Sequence, residues 1–249
     1  MGAPHQMLAV HIAYIEDARA RGAGRGFGTR DNSVVSDCCT PKGYRWIFSE
    51  RNARGDAKRY RRKGLDPTSR RIVDFVRGQG VENRTVLEVG GGIGSIQIEL
   101  LKAGAAQATS IELTPTYEEV AAGLAKEAGF TGRIDRRVMD FADAAGELEA
   151  ADIVIMNRVI CCYPDMPRLA GAAADRTREL LVMSYPRETW WTRIALKLGN
   201  SALRLTRREF QVFLHPPNGI LAATERHGLR TVLNETGSFW TVAALRRSA

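Results

Sequence analysis

Several things are scarce in this sequence. Only four cysteines occur in 249 residues, as two adjacent pairs, Cys38-Cys39 and Cys161-Cys162. That is too few, and oddly spaced, for the disulfide framework of a small secreted domain, and reduced thiols are expected. No apolar run approaches the roughly 18 residues of a membrane span. The opening stretch has no basic start and is interrupted by His11, Glu16 and Asp17, so it does not read as a signal segment and a soluble, cytoplasmic protein is expected. There is no internal repeat. What is present is ordinary for a globular chain: 44% apolar and 26% charged residues, enough to build one α/β domain with appendages and unlike a disordered chain.

The formal net charge of +8 is concentrated rather than spread. Between Arg51 and Arg71 nine basic residues face only Asp56 and Asp66, a local net of +7. This basic segment reads as a helix over 44–63, with Trp46, Ile47 and Phe48 early and Gly64 as its stop. A second helix is expected to start at Asp66-Pro67, an N-cap followed by proline in the first turn. Residues 1–35, rich in glycine and arginine, read as a poorly ordered tail.

From residue 84 short β-branched runs alternate with amphipathic stretches rich in alanine and leucine, the pattern of parallel strands with crossover helices. Strands are expected at 84–89, 108–113, 133–139, 152–159 and 179–185. Beyond Pro186 an amphipathic stretch over 189–205 should lead to a short strand, a helix after Pro216-Pro217, and a terminal hairpin turning at Thr236-Gly237.

The sharpest feature is a buried strand that ends in Glu88-Val89-Gly90-Gly91-Gly92-Ile93-Gly94, where a helix begins. Glycines allow a tight turn and close approach to a ligand, and the helix N-terminus presents free N–H groups. A dinucleotide fingerprint would require glycine where Ser95 or Gln97 stands, and a P-loop would require a lysine that the loop lacks. What remains, E-x-G-x-G-x-G, resembles motif I of the class I S-adenosylmethionine-dependent methyltransferases. Acids at the next two strand ends add to the likeness: Glu112-Leu113 ends the second strand, and Asp140-Phe141 ends the third.

The resemblance covers about residues 65 to 246. It implies a Rossmann-like α/β fold: a seven-stranded, mostly parallel sheet with an antiparallel terminal hairpin, helices on both faces and an N-terminal helical lid. The implied organisation is a tail over 1–35, a basic lid over 36–65, and a cofactor-binding domain over 66–249 with a substrate-side insert at about 187–210. S-adenosyl-L-methionine is the implied cofactor, held by Glu88, Gly90, Gly92, Gly94, Glu112, Leu113, Asp140, Phe141 and Asn157. In this resemblance Glu112 accepts the ribose hydroxyls and Asp140 the adenine amino group.

Methyl transfer from a sulfonium is an in-line displacement, so the protein chiefly positions the acceptor and excludes water. Candidates for that work lie in NRVICCYPDM: Tyr163 to hydrogen-bond an acceptor and Arg158 to neutralise an anionic one. Tyr44, Arg59, Tyr60, Cys161, Cys162, Tyr185 and His215 are further candidates for the substrate and lid side. The stretch I-C-C-Y-P and the basic R-R-Y-R-R-K-G-L are similar to regions of magnesium-protoporphyrin O-methyltransferases, which methylate a carboxylate, with Cys162 where that group carries a histidine. A small anionic or aromatic acceptor and O-methylation are therefore expected.

Three other readings stay open. No metal is required, but Cys38, Cys39, Cys161 and Cys162 could meet across the pocket and hold a soft metal or metalloid. Adjacent residues on a strand point to opposite faces, which argues against a ready-made zinc site. The basic helix could bind RNA, which ranks last because only Tyr60 interrupts its cations. Trp190, Trp191, Ile194, Leu196 and Leu198 read as a pocket wall, or, with Arg193 and Lys197, as a peripheral contact with a membrane surface.

Overall fold

A computed structural model describes residues 47–205 and 210–248. Tyr44, Cys38 and Cys39, together with the expected tail over 1–35, lie outside the described residues. The first described helix, α1 (Glu50–Lys63), starts later than the hydrophobic pattern predicts. Ser49 caps it, accepting from the Asn52 amide at 3.4 Å, and Gly64 ends it at φ +69°. The next helix, α2 (Pro67–Gly78), opens as expected: the Asp66 carboxylate accepts from the Thr68 and Ser69 amides at 3.0 and 3.3 Å.

The strands and crossover helices follow in alternation: β1 (Thr85–Val89), α3 (Ser95–Lys102), β2 (Gln107–Glu112), α4 (Glu118–Glu127), β3 (Ile134–Val138), a single turn α5 (Phe141–Ala144), β4 (Ala151–Asn157), α6 (Met166–Asp175) and β5 (Thr177–Pro186). Then come α7 (Trp190–Leu205), α8 (Pro217–Glu225) and the hairpin β6 (Leu229–Thr236) and β7 (Trp240–Arg247). The sheet order is β3-β2-β1-β4-β5-β7-β6, parallel except for β7, which runs antiparallel to both its neighbours. This is the seven-stranded, mostly parallel sheet with an antiparallel terminal hairpin that the sequence leads one to expect.

The two-residue side-chain period of the strands sorts the core into two layers. Leu87, Val89, Val154, Met156, Leu181 and Met183 face one side and pack with Leu169 and Ala173 of α6 and Ile220 of α8. Their neighbours Val86, Ile153, Ile155, Leu180 and Val182 face the other side and pack with Ile72 and Val76 of α2 and Leu100 of α3. Ala53 and Ala57 seat α1 in a third cluster with Ile98, Tyr117 and Leu124.

The short strand expected before Pro216 is not formed at 210–216. Its backbone groups are taken by other partners: the Asn200 side chain donates to Val212 O at 2.8 Å and accepts from Val212 N at 3.0 Å, and Phe213 N donates to Cys161 O at 2.7 Å. With those groups occupied, the segment is bound to α7 and the β4 exit instead of to a sheet edge. Among the described residues no helix is long and apolar enough to cross a membrane.

Candidate active site

The order reverses between β1 and β4, and a crevice opens at the carboxyl ends of the strands beside such a switch point. Here it is a cavity of about 300 Å³, walled by the glycine loop, the ends of β2 and β4, and the lid side formed by α1 and the start of α2. Gly90, Gly92 and Gly94 take φ +67°, +56° and +76° between β1 and α3, a region where a side chain is strained. A Cβ on Gly90 would lie 2.6 Å from Val159 Cγ2, and one on Gly91 would lie 2.5 Å from Gln97 Nε2. The loop is therefore built to bring bare backbone to the cavity.

Arg136, in the middle of β3, fixes the loop from beneath. Its guanidinium donates to Gly92 O at 3.1 Å, to Ser110 Oγ at 3.2 Å, and to both oxygens of Glu118. Two more acids stand close by. Glu112, at the end of β2, accepts from the Gly92 amide and lines the cavity. Burial lifts its pKa to about 7, against the Gly92 hydrogen bond and the Arg136 charge. Glu88 is buried below the loop, and its Oε2, with the amide of Gln97, has no hydrogen-bond partner among the described residues. Burial raises the Glu88 pKa to about 8; the adjacent Gln97 amide opposes the rise, and the Glu112 charge adds to it.

The opposite wall is a chain of paired polar groups. Arg158 follows β4 at φ +64°, an uncommon conformation for a side-chain-bearing residue. Its guanidinium donates to Asp66 and lies 5.2 Å from the centre of the Trp240 ring. Burial opposes ionisation of Asp66, but the Arg158 charge and the hydrogen bonds from Ser69 and Thr68 outweigh it and lower the pKa. The network continues from Ser184 Oγ, which accepts from Arg158 N at 2.9 Å and donates to Asn157 Oδ1 at 2.7 Å, to Asn157 Nδ2, which donates to Ser69 Oγ at 3.1 Å. On α1, Asp56 pairs with Arg59 at 3.1 Å and accepts from the Tyr117 hydroxyl at 3.3 Å. Its pKa is raised, because burial outweighs both partners.

The cavity brings together Gly90, Gly92, Glu112, Leu113, Asp140, Phe141, Asn157, Arg158, Cys162, Tyr163, Arg59 and Tyr60 from among the residues expected there. The Tyr163 hydroxyl donates to the Asp140 carboxylate at 3.3 Å, which links the ends of β3 and β4 across the cavity. Tyr60 donates to Glu99 at 2.5 Å, and burial with this bond raises its pKa. Glu88 lies under the loop, and Gly94 caps α3 behind it.

Three further candidates, Tyr185, His215 and Cys161, lie outside the cavity lining, while Cys162 lines it. Tyr185 is buried in the β5 core, its hydroxyl directed to Asn234 at 3.4 Å. His215 donates through Nε2 to Tyr163 O at 2.9 Å, outside the cavity lining, and burial lowers its pKa. Cys161 and Cys162 are not on opposite faces, because they sit in a 3₁₀ turn (Ile160–Cys162) and not on a strand. Their sulfurs lie 3.8 Å apart and both approach the Arg158 carbonyl at 3.6 Å. Among the described residues no group of three His, Cys, Asp or Glu side chains is arranged to hold a metal ion.

Sequence reasoning missed Asp56, Asp66, Phe48, Tyr117 and Arg136 as parts of the site. Asp56 and Asp66 are the two acids inside the basic run, and an isolated acid among cations is a signal that could have marked them. Arg136, an arginine at mid-strand, is a similar local anomaly.

A family model described as a methyltransferase domain matches residues 57–238. No functionally curated protein matches the chain. Among solved structures, magnesium protoporphyrin IX methyltransferase from Synechocystis PCC 6803 with bound S-adenosylhomocysteine superposes with a TM-score of 0.62 at 17% identity, over 97% of this chain and 100% of that one. An O-methyltransferase family protein from Burkholderia thailandensis superposes with a TM-score of 0.65 at 19% identity, over 98% of this chain and 70% of that one. At these identities the likeness is one of fold.

Proposed function

Because the chain belongs to the S-adenosylmethionine-dependent methyltransferases, we propose that its cavity methylates an oxygen of a small anionic or aromatic acceptor seated between α1 and the end of β4. The cofactor end of the cavity suits that cosubstrate on two counts: a loop whose backbone a Cβ would obstruct, and Glu112 at the end of β2, which lines the cavity. Gly90 and Gly92 would present backbone, Glu112 would accept the ribose hydroxyls, Asp140 and Phe141 would hold the adenine, and Asn157 and Leu113 would complete the wall. The chemistry supplied by S-adenosylmethionine when bound is an electrophilic methyl carbon on a sulfonium sulfur.

The residues at the other end do the positioning. Arg59 and Arg158 offer positive charge to an anionic acceptor, and Phe48, Tyr117 and Tyr163 offer ring faces and hydroxyls to an aromatic one. A carboxylate acceptor arrives ionised and needs no base. For a phenol, Asp56 is the carboxylate suited to take the proton, because its burial raises its basicity within the cavity wall. Closure of the cavity by α1 excludes water.

The single observation that carries this reading is the shared cavity, in which the glycine loop and two cationic side chains line one space. The test is a calorimetric titration with S-adenosylhomocysteine on the protein and on Glu112→Ala, followed by a screen of carboxylate, phenol and amine acceptors for methyl incorporation. Binding lost in the variant, with turnover of one acceptor class, supports it. Binding that survives Glu112→Ala removes the residue assignment, and turnover only of nitrogen acceptors removes the oxygen assignment.

One observation favours a second reading, a thiophilic metalloid acceptor: the Cys161 and Cys162 sulfurs are 3.8 Å apart and Cys162 lines the cavity. Stoichiometric capture of phenylarsine oxide by the reduced protein, lost in Cys162→Ser, would support it, and no capture would remove it.

A further inference from the structure

Helix α7 follows β5, and its two long faces differ sharply. The inner face buries Thr192 and Leu203. Leu203 joins a cluster with Phe210, Phe48, Leu113 and Cys162, of which the last three line the cavity. The outer face is apolar where a surface helix is ordinarily polar: Trp190 is 75% exposed, Ile194 49%, Leu198 67% and Leu205 85%. At 100° per residue these four fall within a single stripe about 80° wide. Scattered exposed apolar residues need no explanation, but four large ones on one helix face do.

The chemistry beside the stripe selects the occupant. Arg193, Lys197 and Arg204 are all exposed and fall together in the adjoining sector of the same helix, so a row of cations runs along one edge of the apolar stripe. The described part of α7 contains no acid, and the nearest one before it, Glu188, is paired with Arg193. An apolar face with a tryptophan and a cationic margin is the form of a helix that lies in the plane of a membrane surface, where the side chains enter the acyl boundary and the cations meet anionic headgroups. An antiparallel two-fold pairing of this face would bring the same cationic rows together, with no acidic row on α7 to oppose them.

We propose that α7 is a peripheral docking surface for an anionic lipid bilayer, with Trp190, Ile194, Leu198 and Leu205 entering the interface and Arg193, Lys197 and Arg204 contacting headgroups. The surface is on the face of α7 away from Leu203, which packs against cavity-lining residues, and it is distinct from the residues assigned to cofactor and acceptor. The docking does not depend on which acceptor the enzyme methylates.

The test is co-sedimentation of the full chain with vesicles of phosphatidylcholine alone and of phosphatidylcholine mixed with phosphatidylglycerol, at low and high salt. Wild type is expected to bind the anionic vesicles, and to bind them less at high salt. Trp190→Ala and Ile194→Ala should each weaken partitioning by up to about tenfold, the scale set by removing one large apolar side chain from a buried position. Arg193→Glu with Lys197→Glu should abolish the preference for anionic vesicles. Calorimetry with S-adenosylhomocysteine keeps the variants interpretable, because each should retain wild-type affinity if folded. Wild type that remains in the supernatant with both vesicle types overturns the proposal. So does binding unchanged in the α7 variants, which would move the contact to the basic helix α1, and so does a concentration-dependent dimer lost on Trp190→Ala in a protein that ignores vesicles.

Discussion

The two ends of the cavity handle polar groups in opposite ways. At the glycine-loop end, charge is buried and incompletely matched: Glu88 Oε2 and the Gln97 amide have no hydrogen-bond partner among the described residues, and the pKa values of both Glu88 and Glu112 are displaced upward. At the lid end most groups are matched to one another, Arg158 to Asp66, Arg59 to Asp56 and Tyr60 to Glu99, with Arg158 Nε left buried without a hydrogen-bond partner among the described residues. The unpartnered Glu88 and Gln97 groups lie beneath the loop and not in the cavity lining, whereas a matched pair in the lining must be separated before it can serve a ligand. Under the proposed function, the bare glycine backbone of the loop end suits one constant ligand, and the lid end would exchange internal pairs for the acceptor, so that selectivity is expected to be set there.

Substitutions should separate the two ends, beginning with the most severe. Gly90→Val forces a side chain into a left-handed position against Val159 and should weaken S-adenosylhomocysteine binding by on the order of 100-fold or more, measured by calorimetry, since strain and lost approach add. Glu112→Ala removes one charge-assisted acceptor and should cost roughly tenfold to 100-fold in the same titration. Equal losses in a lid variant such as Arg59→Ala would erase the proposed division between the ends. Arg136→Leu leaves the Glu118 carboxylate and the Gly92 carbonyl without their donor, and should reduce cofactor affinity by about tenfold; Arg136→Lys should recover only part, because one ammonium cannot span Glu118, Ser110 and Gly92 together.

A pH series tests the buried acids directly. Both carboxyls titrate near neutrality in the folded protein, at about 8 for Glu88 and about 7 for Glu112, against 4.5 ordinarily. The folded state thus retains protons that the unfolded chain has released, and stability should fall as pH rises from about 4.5 through about 8. Thermal melts of the ligand-free protein should show that decline, and Glu88→Gln should flatten it; an unchanged slope in Glu88→Gln would mean the carboxyl is hydrated. The smallest effect belongs to the lid end. Asp66→Ala removes the cap of α2 and the partner of Arg158, and should cost about 1–2 kcal/mol in urea unfolding with little change in S-adenosylhomocysteine affinity.

The parts of the molecule legible in advance are those written in contiguous residues. The five parallel strands, the α2 cap at Asp66-Pro67 and the loop from Glu88 to Gly94 each depend on local periodicity or on glycine geometry, and each stands within a residue or two of its expected place. The strand expected before Pro216 does not form because Asn200 claims the backbone of Val212, and the cysteines do not take opposite faces because β4 ends at Asn157 and they lie in the 3₁₀ turn that follows.

The sequence alone determined the class of fold, the cofactor loop and the acids at two strand ends, because strand period and bare backbone are properties of neighbouring residues. Only the tertiary structure decided that Arg158 faces Asp66, that Tyr163 meets Asp140, that Tyr185 leaves the site for the core, and that α7 shows an apolar face to solvent. Those outcomes depend on which charges and faces meet after the sheet closes, across separations as long as the 92 residues between Asp66 and Arg158, and no local pattern encodes such a meeting.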